Sequence, residues 1–204
     1  MRKILLTSGG LTDHHKKLFW NNIKKQPHEA KIILIPSAAT ESDGAREGIS
    51  MMIYKLMEMG VEIRNIFVYH LKYLLSADYN RTYSREVNDL PPAFRLLTVE
   101  ELCEYDAIFF CGGDARLLMD EINRTGFHEV LNTAVANGLF YVGMSAGSMV
   151  AAGNFDDGLY YISNPITVHC EKGITHSEIV PNEEIFLSDN QAIWISGNTI
   201  QIIE

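Results

Sequence analysis

Apolar segments of strand length alternate with amphipathic segments over most of this chain. Apolar runs of strand length occur at residues 3–7, 31–37, 63–69, 107–113 and 139–144. The run at 31–37 is continuous, as is typical of a strand buried on both faces of a sheet. The segments between these runs that carry apolar residues at helical spacing predict helices over residues 13–26, 43–59 and 115–137. Strands that alternate with helices in this way predict right-handed βαβ units, and therefore a mostly parallel sheet with helices on both faces.

Polar and glycine residues predict where these elements begin and end. Thr12 is placed to cap the first helix. Gly60 and Gly138 are placed to end the helices that precede them, and Gly126 to break the long third helix. Residues 70–98 are predicted to be irregular with some helix, because two consecutive prolines interrupt a weak periodicity.

The C-terminal segment predicts a β-hairpin. Two alternating apolar runs flank Gly197 and Asn198 within residues 191–203. This pair of strands would add an antiparallel edge to the parallel sheet. A chain of 204 residues can bury one substantial core. Residues 1–204 are therefore predicted to form a single domain of α/β class, a three-layer α/β/α sandwich.

Composition argues against several classes of partner and site. The formal net charge is −9, from 17 basic and 26 acidic side chains that are scattered, which argues against nucleic acid or an anionic membrane surface as the main partner. The 3 cysteines lack C-x-x-C spacing, so neither a disulfide framework nor a zinc site is expected. The first apolar run is too short for a signal peptide, and no apolar stretch approaches the roughly 18 residues that span a bilayer. A cytoplasmic protein without a metal or another cofactor is expected.

Residues Gly143 to Gly147 read G-M-S-A-G, a match to the G-x-S-x-G pattern of a nucleophile elbow. The pattern follows a predicted strand and precedes a segment compatible with a helix, which is the context that it requires. Such a turn lifts the Ser145 hydroxyl out of the sheet and aims the Ala146 N–H at the same space, where an oxyanion can bind. The alternative interpretation is a glycine-rich turn in which Ser145 only caps the helix.

A serine nucleophile needs a general base, and the base needs an acid that orients it. His169 is the preferred base because it ends a strand-like segment after the elbow, and His176 is the runner-up. The other histidines are expected to be solvated or to lie on surface elements, and they are His14, His15, His28, His70 and His128. Asp156, Asp157 and Asp189 all follow the serine. The pattern alone does not choose among these acids.

A second glycine turn follows the predicted strand at residues 107–113. Consecutive glycines allow a ligand to approach the backbone closely, so the Gly113 N–H is a candidate second oxyanion donor. Neither G-x-G-x-x-G nor a Walker lysine is present, which argues against nucleotide binding. Cys111 is the candidate nucleophile of an alternative cysteine enzyme. Because it ends an apolar strand rather than an elbow, a structural role is favoured.

Together these features resemble the peptidase E family of serine peptidases, which includes the aspartyl dipeptidases. The segments that carry the resemblance are IFFCGGDARLL, GMSAGSM, ITVH and LSDNQAIWISGNTIQII. The resemblance implies that Ser145 attacks a peptide carbonyl, that His169 accepts and returns the proton, and that the N–H groups of Gly113 and Ala146 bind the oxyanion. The implied fold is that of class I glutamine amidotransferase domains, with serine in place of their cysteine.

The resemblance leaves two acids as candidates for the third member of the triad. Asp189 is preferred because it directly precedes a strand, which would place its carboxylate at an end of the sheet, and Asp157 is the alternative. The implied substrate is a short peptide, in an enzyme without a cofactor. A homodimer is an expectation that the sequence leaves open.

Selection of an N-terminal aspartate would require a cation in the site, ideally an arginine. No arginine follows Arg124, and Lys172 is the only lysine after it. Arg46, Arg85 or Arg116 would have to reach the site from earlier loops. The alternative to a serine peptidase is a binding or regulatory domain that has kept this scaffold without turnover.

Overall fold

A computed structural model of the chain describes residues 1–39, 43–83, 87, 89–174 and 179–204, without the side chains of residues 43–46. The strands are β1 (Lys3–Thr7), β2 (Ile32–Ile35), β3 (Ile66–Val68), β4 (Ala107–Phe110), β5 (Phe140–Met144), β6 (Ile166–Thr167), β7 (Ile185–Phe186), β8 (Ala192–Ser196) and β9 (Thr199–Ile203). The helices are α1 (Asp13–Ile23), α2 (Asp43–Glu58), α3 (Ala77–Thr82), α4 (Val99–Cys103), α5 (Ala115–Thr125), α6 (Phe127–Ala136) and α7 (Ala146–Val150).

The central sheet contains 7 strands in the order β3-β2-β4-β5-β1-β8-β9. The strands from β3 to β1 in that order are parallel to their neighbours. At the other end β8 pairs antiparallel with β1, and β9 pairs antiparallel with β8. The predicted mostly parallel sheet with a C-terminal hairpin at its edge is therefore confirmed. The strands β6 and β7 form a separate, smaller parallel pair.

Two apolar cores lie on opposite faces of this sheet. Phe109 of β4 shares one core with Phe19 of α1 and Leu56 of α2, while its neighbour Phe110 shares the other with Leu118 of α5. All of these side chains are fully buried, and each contributes roughly 1.5–3 kcal/mol by leaving water. Successive strand residues point to opposite faces, so helices cover both sides. The α/β/α sandwich predicted from the alternating elements is confirmed.

Most predicted elements are present, although several are shorter than predicted. The strand predicted at 63–69 is limited to β3, because residues 63–65 form a 3₁₀ turn. The strand predicted at 31–37 ends at Ile35, since Pro36 has no N–H to donate to the sheet. Gly126, in a left-handed conformation with φ of 73°, separates α5 from α6 as predicted. Residues 70–98 contain a 3₁₀ turn at 71–73 and the short helix α3.

The carboxyl ends of the parallel strands meet at one edge of the sheet, which is where open α/β sheets bind their ligands. The turns that follow β4 and β5 contain the glycine-rich segments singled out in the sequence, and the turn after β1 contains Gly9 and Gly10. None of the helices formed by the described residues combines the length and apolar character that crossing a membrane requires.

Candidate active site

Ser145 lies in a sharp turn between β5 and α7. Its backbone has φ of 49° and ψ of −106°, a conformation that non-glycine residues adopt only when their surroundings impose it. The Ser145 N–H donates a hydrogen bond of 3.0 Å to the carbonyl oxygen of Thr7 at the end of β1. The neighbouring strand therefore holds the turn in its unfavourable conformation.

The glycines on either side of Ser145 are required by close packing. A Cβ on Gly143 would lie 2.5 Å from the carbonyl oxygen of Gly147, and a Cβ on Gly147 would lie 2.6 Å from Cβ of Phe110. Neither position has room for a side chain. This is the steric reason for the G-x-S-x-G spacing.

The structure brings Ser145, His169 and Asp189 together in one hydrogen-bonded row. His169 Nε2 lies 2.9 Å from Ser145 Oγ, and His169 Nδ1 lies 2.6 Å from Asp189 Oδ1. A carboxylate only accepts hydrogen bonds, so Nδ1 carries the proton, and Nε2 is left to accept the Ser145 hydroxyl. The His169 side chain is 53% exposed and that of Asp189 is 66% exposed, so a ligand can reach the row from solvent.

Asp157, the alternative acid, lies elsewhere and has other partners. Its carboxylate accepts two hydrogen bonds from the Arg116 guanidinium, at 3.1 and 2.8 Å, and one of 2.7 Å from the Asn123 amide. The arginine is the main cause of a pKa for Asp157 below its usual value. Arg116 also lies over the Phe155 ring, with 5.2 Å between the guanidinium carbon and the ring centroid. The structure therefore keeps Asp157 and Arg116 with each other and brings neither to His169.

The glycine turn after β4 lies beside the serine. A Cβ on Gly112 would be 3.3 Å from Cβ of Ser145, and a Cβ on Gly113, where φ is 138°, would be 2.2 Å from the carbonyl oxygen of Ala38. Neither the Gly113 N–H nor the Ala146 N–H has an acceptor among the described residues. Both predicted oxyanion donors, in residues that directly follow Gly112 and Ser145, thus lack a partner in the described part of the chain.

Cys111, the alternative nucleophile, is buried directly before this glycine turn. Burial raises the pKa of its thiol to about 12. Only a thiolate is an effective nucleophile. The surroundings of Cys111 therefore disfavour nucleophilic attack and agree with a structural role.

The expectation that the remaining histidines are solvated is wrong for His15, whose side chain is fully buried. The His15 ring Nδ1 accepts a hydrogen bond of 3.2 Å from the backbone N–H of Thr12, and the backbone N–H of His15 donates to the Thr12 hydroxyl at 3.3 Å. The three-residue spacing of Thr12 and His15 was the signal for this capping box. His176, Arg85 and the Arg46 side chain lie outside the described residues.

A cavity of about 600 Å³ opens onto the row. Its apolar wall includes Leu11, Met52 and Met59. The cations among the described residues that line it are Lys16 and Lys55. The Lys16 ammonium pairs with Asp13 at 3.0 Å. Lys55 is exposed, and its ammonium has no ion-pair partner among the described residues.

The sequence prediction did not identify these two lysines, because they lie on α1 and α2, outside the segments from which the site was predicted. The available signal was the helical spacing of Met52, Lys55 and Met59, which places them on one face of the segment around α2. Among the described residues, no group of three or more His, Cys, Asp or Glu side chains is arranged to hold a metal ion.

Residues 91–173 match the family model of peptidase family S51. An uncharacterized peptidase of Pasteurella multocida (strain Pm70) is 32% identical over 68 residues, which cover 33% of this chain and 33% of that protein. Peptidase E of Streptomyces coelicolor is 47% identical over 51 residues, which cover 25% of this chain and 21% of that protein. The chain therefore aligns with a third or less of the length of either relative.

Two solved structures share the fold over the whole chain. A putative peptidase E protein from Listeria monocytogenes EGD-e superposes with a TM-score of 0.66 at 18% identity, covering 100% of this chain and 98% of that one. A peptidase from an acI-B1 actinobacterium superposes with a TM-score of 0.64 at 18% identity, covering 100% of this chain and 87% of that one. At this level of identity the similarity establishes the α/β fold.

Proposed function

We propose that this chain is a member of the peptidase E family and a serine peptidase that cleaves short peptides. Ser145 is the nucleophile, His169 the general base, and Asp189 the acid that orients the imidazole. The observation that carries this proposal is the continuous row from Asp189 Oδ1 through His169 to Ser145 Oγ, with separations of 2.6 and 2.9 Å. These distances lie within the reach that proton transfer from a serine to a histidine requires.

In the proposed reaction Ser145 Oγ attacks the carbonyl carbon of the peptide bond while its proton passes to His169 Nε2. The N–H groups of Gly113 and Ala146 donate to the oxyanion that forms. His169 then returns the proton to the leaving amine, and the C–N bond breaks to leave an acyl-enzyme on Ser145. Water, activated by the same imidazole, hydrolyses this ester. Asp189 stabilises the imidazolium in both steps without itself becoming protonated.

The cavity supports a small substrate. Its volume of about 600 Å³ lies in the range of roughly 300–1,000 Å³ that is usual for small-molecule sites. A peptide of a few residues is of a size that such a space accommodates. We therefore propose a dipeptidase or exopeptidase rather than an endopeptidase that acts on folded proteins.

Lys55 supports the inclusion of aspartyl dipeptides among the substrates. Lys55 lines the cavity, and its ammonium supplies the cation that no later arginine offers. An ammonium is a point charge without the bidentate geometry of arginine. Lys55→Met is therefore expected to raise KM about 10-fold for an Asp-Xaa dipeptide, the loss of one charge-assisted contact, and to leave KM for the matching Asn-Xaa dipeptide unchanged.

The alternative, a binding or regulatory domain without turnover, makes a different structural prediction. It expects no acid within hydrogen-bond reach of His169. The short contact between Asp189 and His169 Nδ1 favours the peptidase.

The proposal is tested with a panel of di- and tripeptides and with a fluorophosphonate probe. The wild-type protein is expected to release free amino acids and to be labelled at Ser145, whereas Ser145→Ala should lose labelling and at least about 10³-fold in kcat. Ser163→Ala, at an exposed serine, is the matched control and should keep both. Wild-type protein that neither turns over any peptide nor reacts with the probe would contradict the proposal.

We also propose that the enzyme acts in the cytoplasm. Cys103, Cys111 and Cys170 are all free thiols, a state that a reducing compartment maintains. The homodimer stays a prediction, which sedimentation of the purified protein would test.

A further inference from the structure

We propose that Ser8, the first residue after β1, is a positioning residue that holds His169 and Asp189 in their reactive arrangement. This inference rests on the proposed function, because it assigns Ser8 to the machinery around the same nucleophile. Ser8 does not contact the nucleophile itself. It acts through the base and the acid.

The Ser8 hydroxyl lies at the junction of the two segments that carry the base and the acid. Ser8 is 1% exposed. Its Oγ accepts a hydrogen bond of 2.7 Å from the His169 N–H. The same hydroxyl is within donating distance of the Leu187 carbonyl oxygen, at 3.2 Å, and of Asp189 Oδ1, at 3.3 Å. One buried hydroxyl thus joins the backbone of the base to the loop and the carboxylate of the acid.

His169 needs such an anchor because its own conformation is unfavourable. Its φ is 58°, in the left-handed region that histidine adopts only when its surroundings impose it. More than half of its side chain is exposed, so packing contributes little to its position. The adjoining Cys170 N–H donates to the Leu187 carbonyl oxygen at 3.0 Å. Together with Ser8, this bond fixes the backbone on which the imidazole is mounted.

Asp189 is positioned by the same turn. A Cβ on Gly9 would lie 2.7 Å from Cβ and 2.9 Å from Cγ of Asp189, so the acid rests directly on the Gly9 backbone. The Ser8 N–H donates to the Gln191 carbonyl oxygen at 3.3 Å, which ties the loop around the acid to the end of β1. Asp189 Oδ1, the oxygen that faces Ser8, is also the one that contacts His169. A hydrogen bond from Ser8 therefore orients the carboxylate toward the imidazole.

The end of β1 consequently supports every member of the row. The Thr7 carbonyl oxygen accepts from the Ser145 N–H, and Ser8 binds the base and the acid. Two consecutive residues near the N-terminus thereby set the relative positions of three side chains that are remote in sequence. A misplacement of about 1 Å in such a group can cost on the order of 100-fold in rate.

The test compares Ser8→Ala, Ser8→Cys and Tyr69→Phe in the full-length protein. Ser8→Ala removes the hydroxyl. Ser8→Cys fills the same space with sulfur, which is a weak hydrogen-bond acceptor, and serves if the alanine variant does not fold. Tyr69→Phe is the matched control, because the buried Tyr69 hydroxyl also accepts a loop N–H, from Leu97 at 3.0 Å, and donates to a carbonyl oxygen, that of Arg95 at 2.7 Å. It does so after the edge strand β3, which three strands separate from β1 in the sheet.

We expect kcat for peptide hydrolysis to fall about 10- to 100-fold in both Ser8 variants, with KM changed less than about twofold. Tyr69→Phe should lower the thermal midpoint of unfolding about as much as Ser8→Ala does, because each removes one buried hydroxyl, and it should leave kcat within about twofold. A folded Ser8→Ala or Ser8→Cys protein with wild-type kcat would overturn the proposal, and so would an equal loss of kcat in Tyr69→Phe.

Failure of the proposed function is recognised separately. If wild-type protein hydrolyses no peptide but Ser145 reacts with the fluorophosphonate probe, the ratio of labelling rates between wild type and Ser8→Cys replaces kcat. If Ser145 does not react either, crystal structures of the wild type and the variant decide. Displacement of the His169 ring from Ser145 Oγ in Ser8→Cys supports the positioning role, and an unchanged separation overturns it.

Discussion

Asp189 and Asp157 are exposed carboxylates with opposite surroundings. Asp157 is neutralised by Arg116, which lowers its pKa and holds it away from the cavity. Asp189 has no arginine or lysine as a salt-bridge partner among the described residues, and its strongest contact is the His169 imidazole. An acid that serves a general base should be free to stabilise a charge that develops on that base. Asp189 meets this condition and Asp157 does not.

Substitution of each acid by asparagine therefore separates the two candidates. Asp189→Asn is expected to lower kcat about 10³- to 10⁴-fold, because an amide that donates to Nδ1 selects the wrong imidazole tautomer. Asp157→Asn should leave kcat within about twofold and affect only the surface contacts with Arg116 and Asn123. Steady-state hydrolysis of one good dipeptide by both variants provides the measurement. A larger loss in Asp157→Asn than in Asp189→Asn would exchange their roles.

The sequence predicts the chemically distinctive residues of the candidate site more readily than those that support them. Ser145 lies in a recognisable pattern, and His169 and Asp189 each adjoin a predicted strand in segments that resemble a known family. Ser8 and Lys55 carry no such signal. A serine after a strand and a lysine on an amphipathic helix are common, and only the tertiary contacts distinguish them.

At the scale of elements, the N-terminus of α1 connects the cavity wall to a buried titratable group. Thr12 lines the cavity and caps α1, and His15 completes its capping box by accepting the Thr12 N–H at Nδ1. Burial lowers the pKa of His15 below its usual value. A proton at Nδ1 would remove the acceptor, so the folded state disfavours protonation of this group.

Stability should therefore fall as the pH decreases through the usual pKa of histidine. Below about pH 6.5 the unfolded chain binds a proton that folded His15 resists, so lowering the pH from 7.5 to 5.5 should cost on the order of 1 kcal/mol of unfolding free energy for this residue. His70, whose pKa is also lowered by burial, contributes with the same sign. Urea denaturation at both pH values is the measurement.

His15→Gln isolates the contribution of His15, because glutamine at this position of a capping box can still accept the Thr12 N–H and does not titrate. In this variant the difference in unfolding free energy between pH 7.5 and pH 5.5 should be about 1 kcal/mol smaller than in the wild type. The part of the difference that comes from His70 should remain. An unchanged pH dependence in His15→Gln would show that His15 is not responsible.

Element bounds were predicted well where burial on both faces dictates the pattern and poorly at the β3 edge of the sheet. The central strands β4 and β5 were found within their predicted runs. The edge strand β3 has 3 residues, less than half of the run that predicted it, because residues 63–65 form a 3₁₀ turn in which Asn65 donates its side-chain amide to the His28 carbonyl oxygen. The periodicity of a short segment does not reveal a side-chain contact with a remote residue. For the same reason the sequence did not predict the bounds of the short elements after β3.

At the scale of the whole molecule, the site depends on contacts between remote segments. The turn at residues 8–10 contacts the loops that carry His169 and Asp189, and β1 lies between β5 and β8 in the sheet. The two apolar cores are built on alternate residues of the same strands. Loss of one core therefore removes support from the other, and residues 1–204 are expected to unfold as one cooperative unit.

Paired cavity substitutions on opposite faces test this expectation. Trp20 and Trp194 both report on the α1 and α2 face, while Leu131 of α6 is fully buried on the other face. Leu131→Ala should lower the unfolding free energy by about 2–5 kcal/mol. In a cooperative domain, Leu131→Ala should shift the tryptophan fluorescence transition in urea as far as the far-ultraviolet circular dichroism transition.

Leu56→Ala, on the same face as the two tryptophans, is the control and should shift both transitions together. If Leu131→Ala moved the dichroism curve and left the fluorescence curve in place, the two faces would unfold independently, and the active site at their shared edge would belong to more than one folding unit.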